Sequence, residues 1–375
     1  MTKDVADWTI VAGNPARAVR SRKYGRFAES EDLSGEWEAF VAVVREQMPT
    51  ALARCFSRGA YCDFPGDAPR VRPLADAVEL AAMVGCDVPG FTQPQLIEIL
   101  TSWQDEATGL VPGPYGEDAF ERGTPQAANL EYSRSAYSVM STGYALECLG
   151  IGLRYPVSVA HNMSSADLVD ILDRLPWTDH AWQCGAWIDH FATACYFNAK
   201  HHGLERDMSD LQGWLAHKAD AGSGLWGTCS PPGDFLQPVN GFYRLTRGAH
   251  AQYGWNIGTP DRVIDSVLAH AHDSRHMAEV SATACNVLDV VHPLYLCGRQ
   301  TDYRRDEVRA VARFWLKRIR AHWQTDEGMR FKLSDTTPAR LQATEMWLAV
   351  AWLCAHLLGF AGVDDPFRPR GVHRL

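Results

Sequence analysis

The sequence predicts an all-α protein built as an (α/α)6 toroid, in which six inner helices alternate with six outer helices. Small-residue apolar runs recur six times along the chain and each ends in glycine. Amphipathic runs with apolar residues at helical spacing lie between them. Strand patterns are nearly absent beyond WTIV at residues 8–11. An open superhelical solenoid is the alternative arrangement of the same helices.

The inner helices are predicted from runs rich in small, aromatic and apolar residues. Small residues let an inner ring pack closely, and the terminal glycines suit helix C-caps, where a left-handed residue is needed. These runs cover residues 75–85, 137–150, 187–203, 241–254, 285–298 and 345–359.

The outer helices are predicted from more charged runs whose polar side would face solvent. They cover residues 34–48, 94–103, 166–175, 211–219, 261–272 and 306–323. The toroid is therefore expected over residues 31–362, with an N-terminal extension at 1–30 and a C-terminal tail at 363–375.

Charge and composition narrow the classes of partner. The chain has 375 residues, 22% of them charged, a net charge of −9 and no block of like charge, so neither nucleic acid nor an anionic membrane is an expected partner. No apolar run approaches the roughly 20 residues of a membrane helix, and the N-terminus MTKDVADW lacks a signal-peptide core. Ten scattered cysteines without a CxxC motif indicate reduced thiols in a cytoplasmic protein. The oligomeric state stays open.

The connections indicate where a site would lie. Links from an outer to the next inner helix are long, whereas most links from inner to outer helices are short. In a toroid the long links share one rim, and long loops on a rigid scaffold are where sites are usually built. The long links cover residues 104–136, 176–186, 220–240, 274–284 and 324–342.

Three of the outer-helix ends share a loop pattern of Trp, acid, Gly and an apolar residue. They are WQDEATGLVPGPYG (103–116), WLAHKADAGSGLWG (214–227) and WQTDEGMRF (323–331). This pattern is similar to the repeat of terpenoid cyclases and prenyltransferase β subunits, and to loops of α/α glycosidases and epimerases. The resemblance covers residues 34–360 at the level of architecture. The same loop has a structural interpretation, since it ends an outer helix and caps it with Trp packing.

Carboxylates among aromatic side chains suggest sugar chemistry. Aromatic faces stack on sugar C–H surfaces, one acid protonates the leaving oxygen, and a second carboxylate activates water or attacks the anomeric carbon. The candidate catalytic residues are Glu131, Asp189, Asp234 and His190, the last as a proton shuttle. The candidate substrate-binding residues are Tyr132, Trp182, Trp187, Trp226, Tyr243 and Arg244. Tyr115, Glu131, Trp182, Trp226 and Asp234 are expected to line one concavity at the rim.

These residues predict a glycoside hydrolase that acts on a small-molecule or oligosaccharide substrate without a cofactor or metal. A purely structural interpretation is that Asp179 caps an inner helix and that the Asp189 side chain accepts hydrogen bonds within a neighbouring turn. Cys285, Asp289 and His292 lie on adjacent helical turns, but their spacing departs from the zinc ligands of prenyltransferase β subunits.

Other classes stay open on the same scaffold. A polysaccharide lyase or a sugar epimerase would use similar side chains. WQCGAW places Cys184 in a position that resembles a cysteine of α/α linalool dehydratase-isomerases, which makes it the alternative nucleophile or acid of a terpenoid dehydratase or cyclase. A non-enzymatic binding toroid is the remaining alternative.

The N-terminal extension has a resemblance of its own. The stretch at residues 7–27, which contains IVAGNPARAVRSR, resembles the C-terminal exit of hexapeptide-repeat, left-handed β-helix acyltransferases, yet no hexapeptide repeats precede it. We therefore interpret residues 1–30 as a remnant of a fusion with, or association with, an acyltransferase. Because many such acyltransferases modify sugars, the resemblance favours a carbohydrate role by association.

Overall fold

The computed structural model describes residues 9–12, 17–21, 33–115 and 134–373. The described chain is mostly helical, which confirms the predicted all-α class. Its helices are α1 (Ser34–Ala53), α2 (Val71–Val84), α3 (Gln93–Ser102), α4 (Arg134–Cys148), α5 (Ser158–Asn162), α6 (Ser165–Arg174), α7 (Ala181–His202), α8 (Ser209–Lys218), α9 (Leu236–Thr246), α10 (Pro260–Ala271), α11 (Ser274–Met277), α12 (Ala284–Gly298), α13 (Arg305–Ala321) and α14 (Leu341–Leu358). A π-helical segment, Arg247–Ala251, continues α9.

All six inner runs are helical, in α2, α4, α7, α9 with its π segment, α12 and α14. Each of these helices contacts the next one along the chain, and α14 contacts α2 again. Helices α7 and α9 begin at Ala181 and Leu236, earlier than predicted, and α2 begins at Val71, which adds Arg72 to its predicted run.

All six outer runs are helical as well, in α1, α3, α6, α8, α10 and α13. Helices α1, α3, α10 and α13 contact inner helices, and α6 packs against α8. The short helices α5 and α11 were not predicted. Two antiparallel hairpins complete the described structure, β1 (Thr9–Ala12) with β2 (Arg17–Ser21) and β3 (Phe56–Ser57) with β4 (Ala60–Tyr61).

Glycine ends most inner helices in the predicted way. Gly203 at the end of α7 has φ 64° and its N–H donates to the carbonyl of Ala199, which is a left-handed C-cap. Gly298 is different, because it is the last residue of α12 and the chain leaves through right-handed Arg299.

The loops that follow α3 and α8 are turns built on their aspartates. The Asp105 N–H donates to the carbonyl of Leu110, and its side chain accepts from the N–H of Thr108. Asp220 repeats both bonds, with Leu225 and Ser223. The carboxylates of Asp105 and Asp220 therefore accept hydrogen bonds that form the turns, and this shared role explains why the two loops share a sequence pattern.

Among the described helices, α14 alone has the length and mean hydropathy of a membrane span. Its hydropathy is 1.2, and 83% of it is buried inside the fold. A core helix of a globular fold has the same composition.

The first prediction concerns the N-terminal segment. Within residues 1–30 the structure describes two strands that pair with each other. Because these strands pair with each other and the described hydrophobic core begins at Leu33, we expect a variant lacking residues 1–30 to keep the melting temperature of the full chain in scanning calorimetry. A marked fall would show that the segment has become part of the folded core.

Candidate functional site

A group of charged and hydrogen-bonding side chains is buried where the inner helices meet. We call it the central cluster, and most of its members lie in the N-terminal halves of their helices. It comprises Arg72, Asp76, Glu79, Tyr137, Asp189, His190, Tyr243, Arg244, Arg247, Asp289, His292, Glu345 and His373. Charged groups are rarely buried unless they are paired, so such a concentration calls for a chemical explanation.

An ion pair between Asp189 and Arg247 joins α7 to α9. Both side chains are buried, with 0% and 2% of their surfaces exposed. Arg247 Nε lies 3.3 Å from Asp189 Oδ1, and Nη2 donates to Oδ2. Arg247 Nη1 also donates to Tyr243 Oη at 3.2 Å, while Arg244 Nη1 stands 3.9 Å from Asp189. One carboxylate therefore faces two guanidinium groups.

Glycine allows the two helices to come this close. A Cβ on Gly248, in the π segment, would lie 2.5 Å from Asp189 Cα. The π segment also sets the direction of Arg247, because the extra residue changes the helical register. The close approach at Gly248 and the register of the π segment together place Arg247 beside Asp189.

A second group, on α2 and α4, connects the cluster to solvent. Arg72 Nε donates to both oxygens of Asp76, at 3.3 and 3.1 Å, and Arg72 Nη1 donates to Tyr137 Oη. Burial raises the pKa of Asp76 to about 7 despite the nearby Arg72, and the Glu345 carboxylate raises it further. Asp76 is therefore partly protonated at neutral pH.

Three further buried carboxyls hold their protons more tightly than usual. Burial raises the pKa of Glu345 to about 7, against the opposing effect of Arg72 and Arg247. Burial also raises the pKa of Glu79 and of Asp289 well above their ordinary values. Strongly shifted acids of this kind are typical of functional sites, although structural networks also produce them.

A cavity of about 240 Å³ opens at the N-terminal ends of α2, α4 and α14. Arg72, Asp76 and Tyr137 belong both to its wall and to the central cluster, so a ligand in the cavity would touch the cluster directly. The lining residues are Asp63, Arg70, Val71, Arg72, Pro73, Asp76, Tyr137, Ser138 and Gln342.

The structure brings four predicted site residues together in the central cluster: Asp189, His190, Tyr243 and Arg244. The His190 ring lies 5.9 Å from that of Tyr137, measured between centroids. Burial lowers the pKa of His190 to about 4, so the ring is neutral at pH 7.

Asp234 lies in a different group of side chains. Its carboxylate contacts His276 Nε2 at 3.1 Å and Arg275 at 3.4 Å, and it accepts the N–H of Leu236. Ligand atoms of Asp234, Asp273 and His276 all lie within 4.8 Å of one another, the one such group found among the described residues. Arg275 also forms ion pairs with both carboxylates of this group.

The predicted aromatic platforms serve packing instead. Trp226 stacks on Phe242 with centroids 5.6 Å apart, and its indole N–H donates to the carbonyl of Leu215. Trp187 stacks on Phe191 and is 1% exposed. These two rings have no free face for a sugar, which corrects the expected rim of stacking aromatics.

The other predicted residues stand apart from the cavity. Cys184 is buried near the start of α7, and half-buried Trp182 donates its backbone N–H to Gln237. Exposed Tyr115 packs on Trp103 at 6.2 Å. None of these residues lines the cavity. Glu131 and Tyr132 lie outside the described residues.

Sequence reasoning missed Arg72, Asp76, Tyr137, Arg247 and Glu345. A signal for the acids was present, because Asp76 lies within the small-residue run ADAVELAA and Glu345 begins the run EMWLAVAW. An acid on the buried face of an inner helix must be paired or protonated. A search for acids on the buried faces of inner helices therefore leads to the cluster more directly than a search for acids in the loops.

Neither protein-family models nor curated proteins match this chain.

The Asp189–Arg247 pair gives the second prediction. We expect Asp189→Ala to lower the free energy of unfolding by about 3–5 kcal/mol, because it leaves a buried guanidinium without its main partner. Asp302→Ala, which breaks a surface pair with Arg305, is the matched control and should cost at most about 1 kcal/mol. Urea denaturation measures both, and equal small losses would contradict the prediction.

The third prediction concerns pH. Glu345 has a raised pKa of about 7 in the folded protein, while a glutamate in an unfolded chain titrates near about 4.3. Between these values the folded state binds the proton more tightly, so its stability falls as pH rises. Glu345→Gln removes this loss. The variant should therefore gain thermal stability relative to wild type between about pH 5 and about pH 8.

Exposed Glu36, on α1, provides the matched control. Glu36→Gln should show no comparable gain over the same pH range. A Glu345→Gln variant whose melting temperature runs parallel to that of wild type would contradict the assignment.

Proposed function

We propose that this chain is a carbohydrate-active enzyme, a glycoside hydrolase, built as an (α/α)6 toroid whose acids work from the central cluster. The contact between α14 and α2 supports closure of the inner helices over an open solenoid. The cavity lies at the N-terminal ends of three inner helices, which is the rim expected to carry the long loops.

The observation that carries the proposal is Asp76 in the cavity wall. Its raised pKa of about 7 keeps a proton available near neutral pH, as a general acid requires. Arg72 orients the carboxyl through two contacts, and Tyr137 fixes Arg72 from the other side. A glycosidic oxygen in the cavity would receive the Asp76 proton as the bond to the sugar breaks.

Glu345 supplies the second carboxyl. Two carboxyls that influence each other and titrate near pH 7 share protons, so one can be ionised while its neighbour is protonated. In the proposed reaction Glu345 accepts a proton from water as that water attacks the anomeric carbon. Asp189 then has a positioning role, because it holds Arg247 and Arg244 beside the reacting groups.

The cavity size indicates the substrate. A volume of about 240 Å³ is below the roughly 300–1,000 Å³ of sites for drug-sized ligands, so it suits one terminal sugar unit better than a long chain. The buried charges disfavour a hydrocarbon, which places the terpenoid alternative behind sugar chemistry.

Arg244 favours a second candidate, a lyase or epimerase that acts on an acidic sugar. Its guanidinium lies 3.9 Å from Asp189, whose oxygens Arg247 already contacts, and it stands over the rings of Tyr137 and Tyr243. Its side chain is 16% exposed. A guanidinium in this position could neutralise a substrate carboxylate, which is the requirement for removing the adjacent proton.

The fourth prediction tests the hydrolase. The purified chain is assayed against a panel of aryl glycosides and short oligosaccharides, with reducing ends and unsaturated products both measured. Asp76→Asn should lower kcat on the active substrate by about 10²–10⁴-fold, because it removes the proton donor. Asp302→Asn, at an exposed surface position, is the control and should leave kcat unchanged.

The products separate the candidates. Reducing ends without unsaturation support hydrolysis, whereas unsaturated or inverted acidic sugars support the lyase or epimerase. Full activity of Asp76→Asn would overturn the assignment of the proton donor.

A further inference from the structure

The segment predicted as a C-terminal tail packs into the helical body. Phe367 is buried against Trp37 of α1, with ring centroids 5.6 Å apart at 74°, and Arg45 stands over its other side. Farther along, Val372 and His373 are buried as well. The chain therefore turns inward after Phe367 rather than leaving the molecule.

Two residues of this segment reach the central cluster. The Val372 N–H donates to Glu79 Oε2 at 2.9 Å. His373 Nδ1 lies 2.5 Å from Tyr243 Oη, and its Nε2 lies 3.2 Å from Glu345 Oε2 without the alignment of a hydrogen bond. The segment thus touches α2, α9 and α14 in a single turn.

Hydrogen-bond roles along this path follow from the donors. Tyr243 Oη accepts from Arg247 Nη1, so its own proton goes to His373 Nδ1. Burial and the nearby arginines lower the pKa of His373 well below its ordinary value, so the ring is neutral. Its remaining proton is then on Nε2, which faces Glu345.

The fit depends on a glycine. A Cβ on Gly371 would lie 1.8 Å from the Glu79 carboxyl, so another residue at this position forces the segment or Glu79 to move. Arg370, by contrast, is exposed. Neighbouring positions therefore offer one substitution that displaces the segment and one that does not.

The segment and the cavity meet α2 at different levels. The cavity touches Arg72 and Asp76 in the first turns, whereas Val372 touches Glu79 almost one turn farther along. Phe367 contacts α1, the outer helix that packs on α2. A ligand entering through the cavity would consequently find the far side of the cluster already occupied.

We propose that residues 367–373 seal the inner helices on the side away from the cavity, and that His373 is a positioning residue that holds Tyr243 and faces Glu345. Its role in the reaction rests on the proposed function, whereas the seal does not. The charged and titratable groups around Glu345 are Arg72, Asp76 and Glu79 on α2, Arg247 after α9, and His373 itself. Displacing the segment would admit water to all of them.

The fifth prediction needs no substrate. Gly371→Ala and His373→Ala should increase hydrogen–deuterium exchange in peptides that cover α2 and α14, because both open the seal. They should also lower the pH at which the infrared signal of the protonated Glu345 carboxyl disappears, since hydration favours the ionised form. Subtraction of the Glu345→Gln spectrum assigns the signal.

Three variants make the experiment specific. Arg370→Gln, in the same segment but exposed, should leave exchange and titration as in wild type. His373→Asn retains an acceptor for Tyr243, whereas His373→Leu fills the space without one. Only His373→Asn should restore the titration toward that of wild type, while a space-filling role predicts that both do. If Gly371→Ala does not fold, the His373 variants carry the test.

The outcomes keep the two proposals distinct. Unchanged exchange and titration in His373→Ala, with protease cleavage after Arg370 showing that the segment is released, would overturn the seal whatever the enzyme activity is. If the seal holds but no glycoside is cleaved, the proposed function fails alone. If both hold, His373→Ala should change the pH profile of kcat, and His373→Asn should recover it.

Discussion

The ion pair between Asp189 and Arg247 is the constraint on which the centre of this molecule depends. A buried pair costs much of its attraction in lost hydration, so it persists only with good geometry and further hydrogen bonds. Here the geometry comes from a glycine contact between α7 and the π segment, and the further bond goes to Tyr243. Arg244, Tyr243 and His373 are arranged around this pair, which links two inner helices, α7 and α9, to the C-terminal segment.

The charge balance of the cluster explains its acid chemistry. Three arginines face five buried carboxyls, and the low-dielectric interior cannot hold all five as anions. Some carboxyls therefore retain protons at neutral pH, and others are ionised beside guanidinium groups. Proton donors and acceptors then coexist within one small volume, and the cavity gives a ligand access to them through Asp76.

Sequence patterns predicted the helices well because helix formation is local. Apolar spacing located all twelve predicted helices, and terminal glycines located ends such as Gly203. The site was predicted less well because its contacts are distant along the chain: Arg247 is 58 residues from Asp189, and His373 is 130 from Tyr243. Trp187 and Trp226 suggested sugar platforms, but the rings that cover them belong to packing contacts that a single sequence does not reveal.

The π-helical segment after α9 changes the angular position, around the helix axis, of the residues that follow it. Each α-helical residue turns the chain by about 100°, so removing one residue from this segment would rotate everything on one side of it by that angle relative to the other. Tyr243 and Arg247, four positions apart, meet in the cluster, while Gln252 and Tyr253 beyond the segment donate hydrogen bonds to α7. A change in the length of this segment would therefore alter the directions of the side chains on one side of it relative to those on the other, even with every residue type retained.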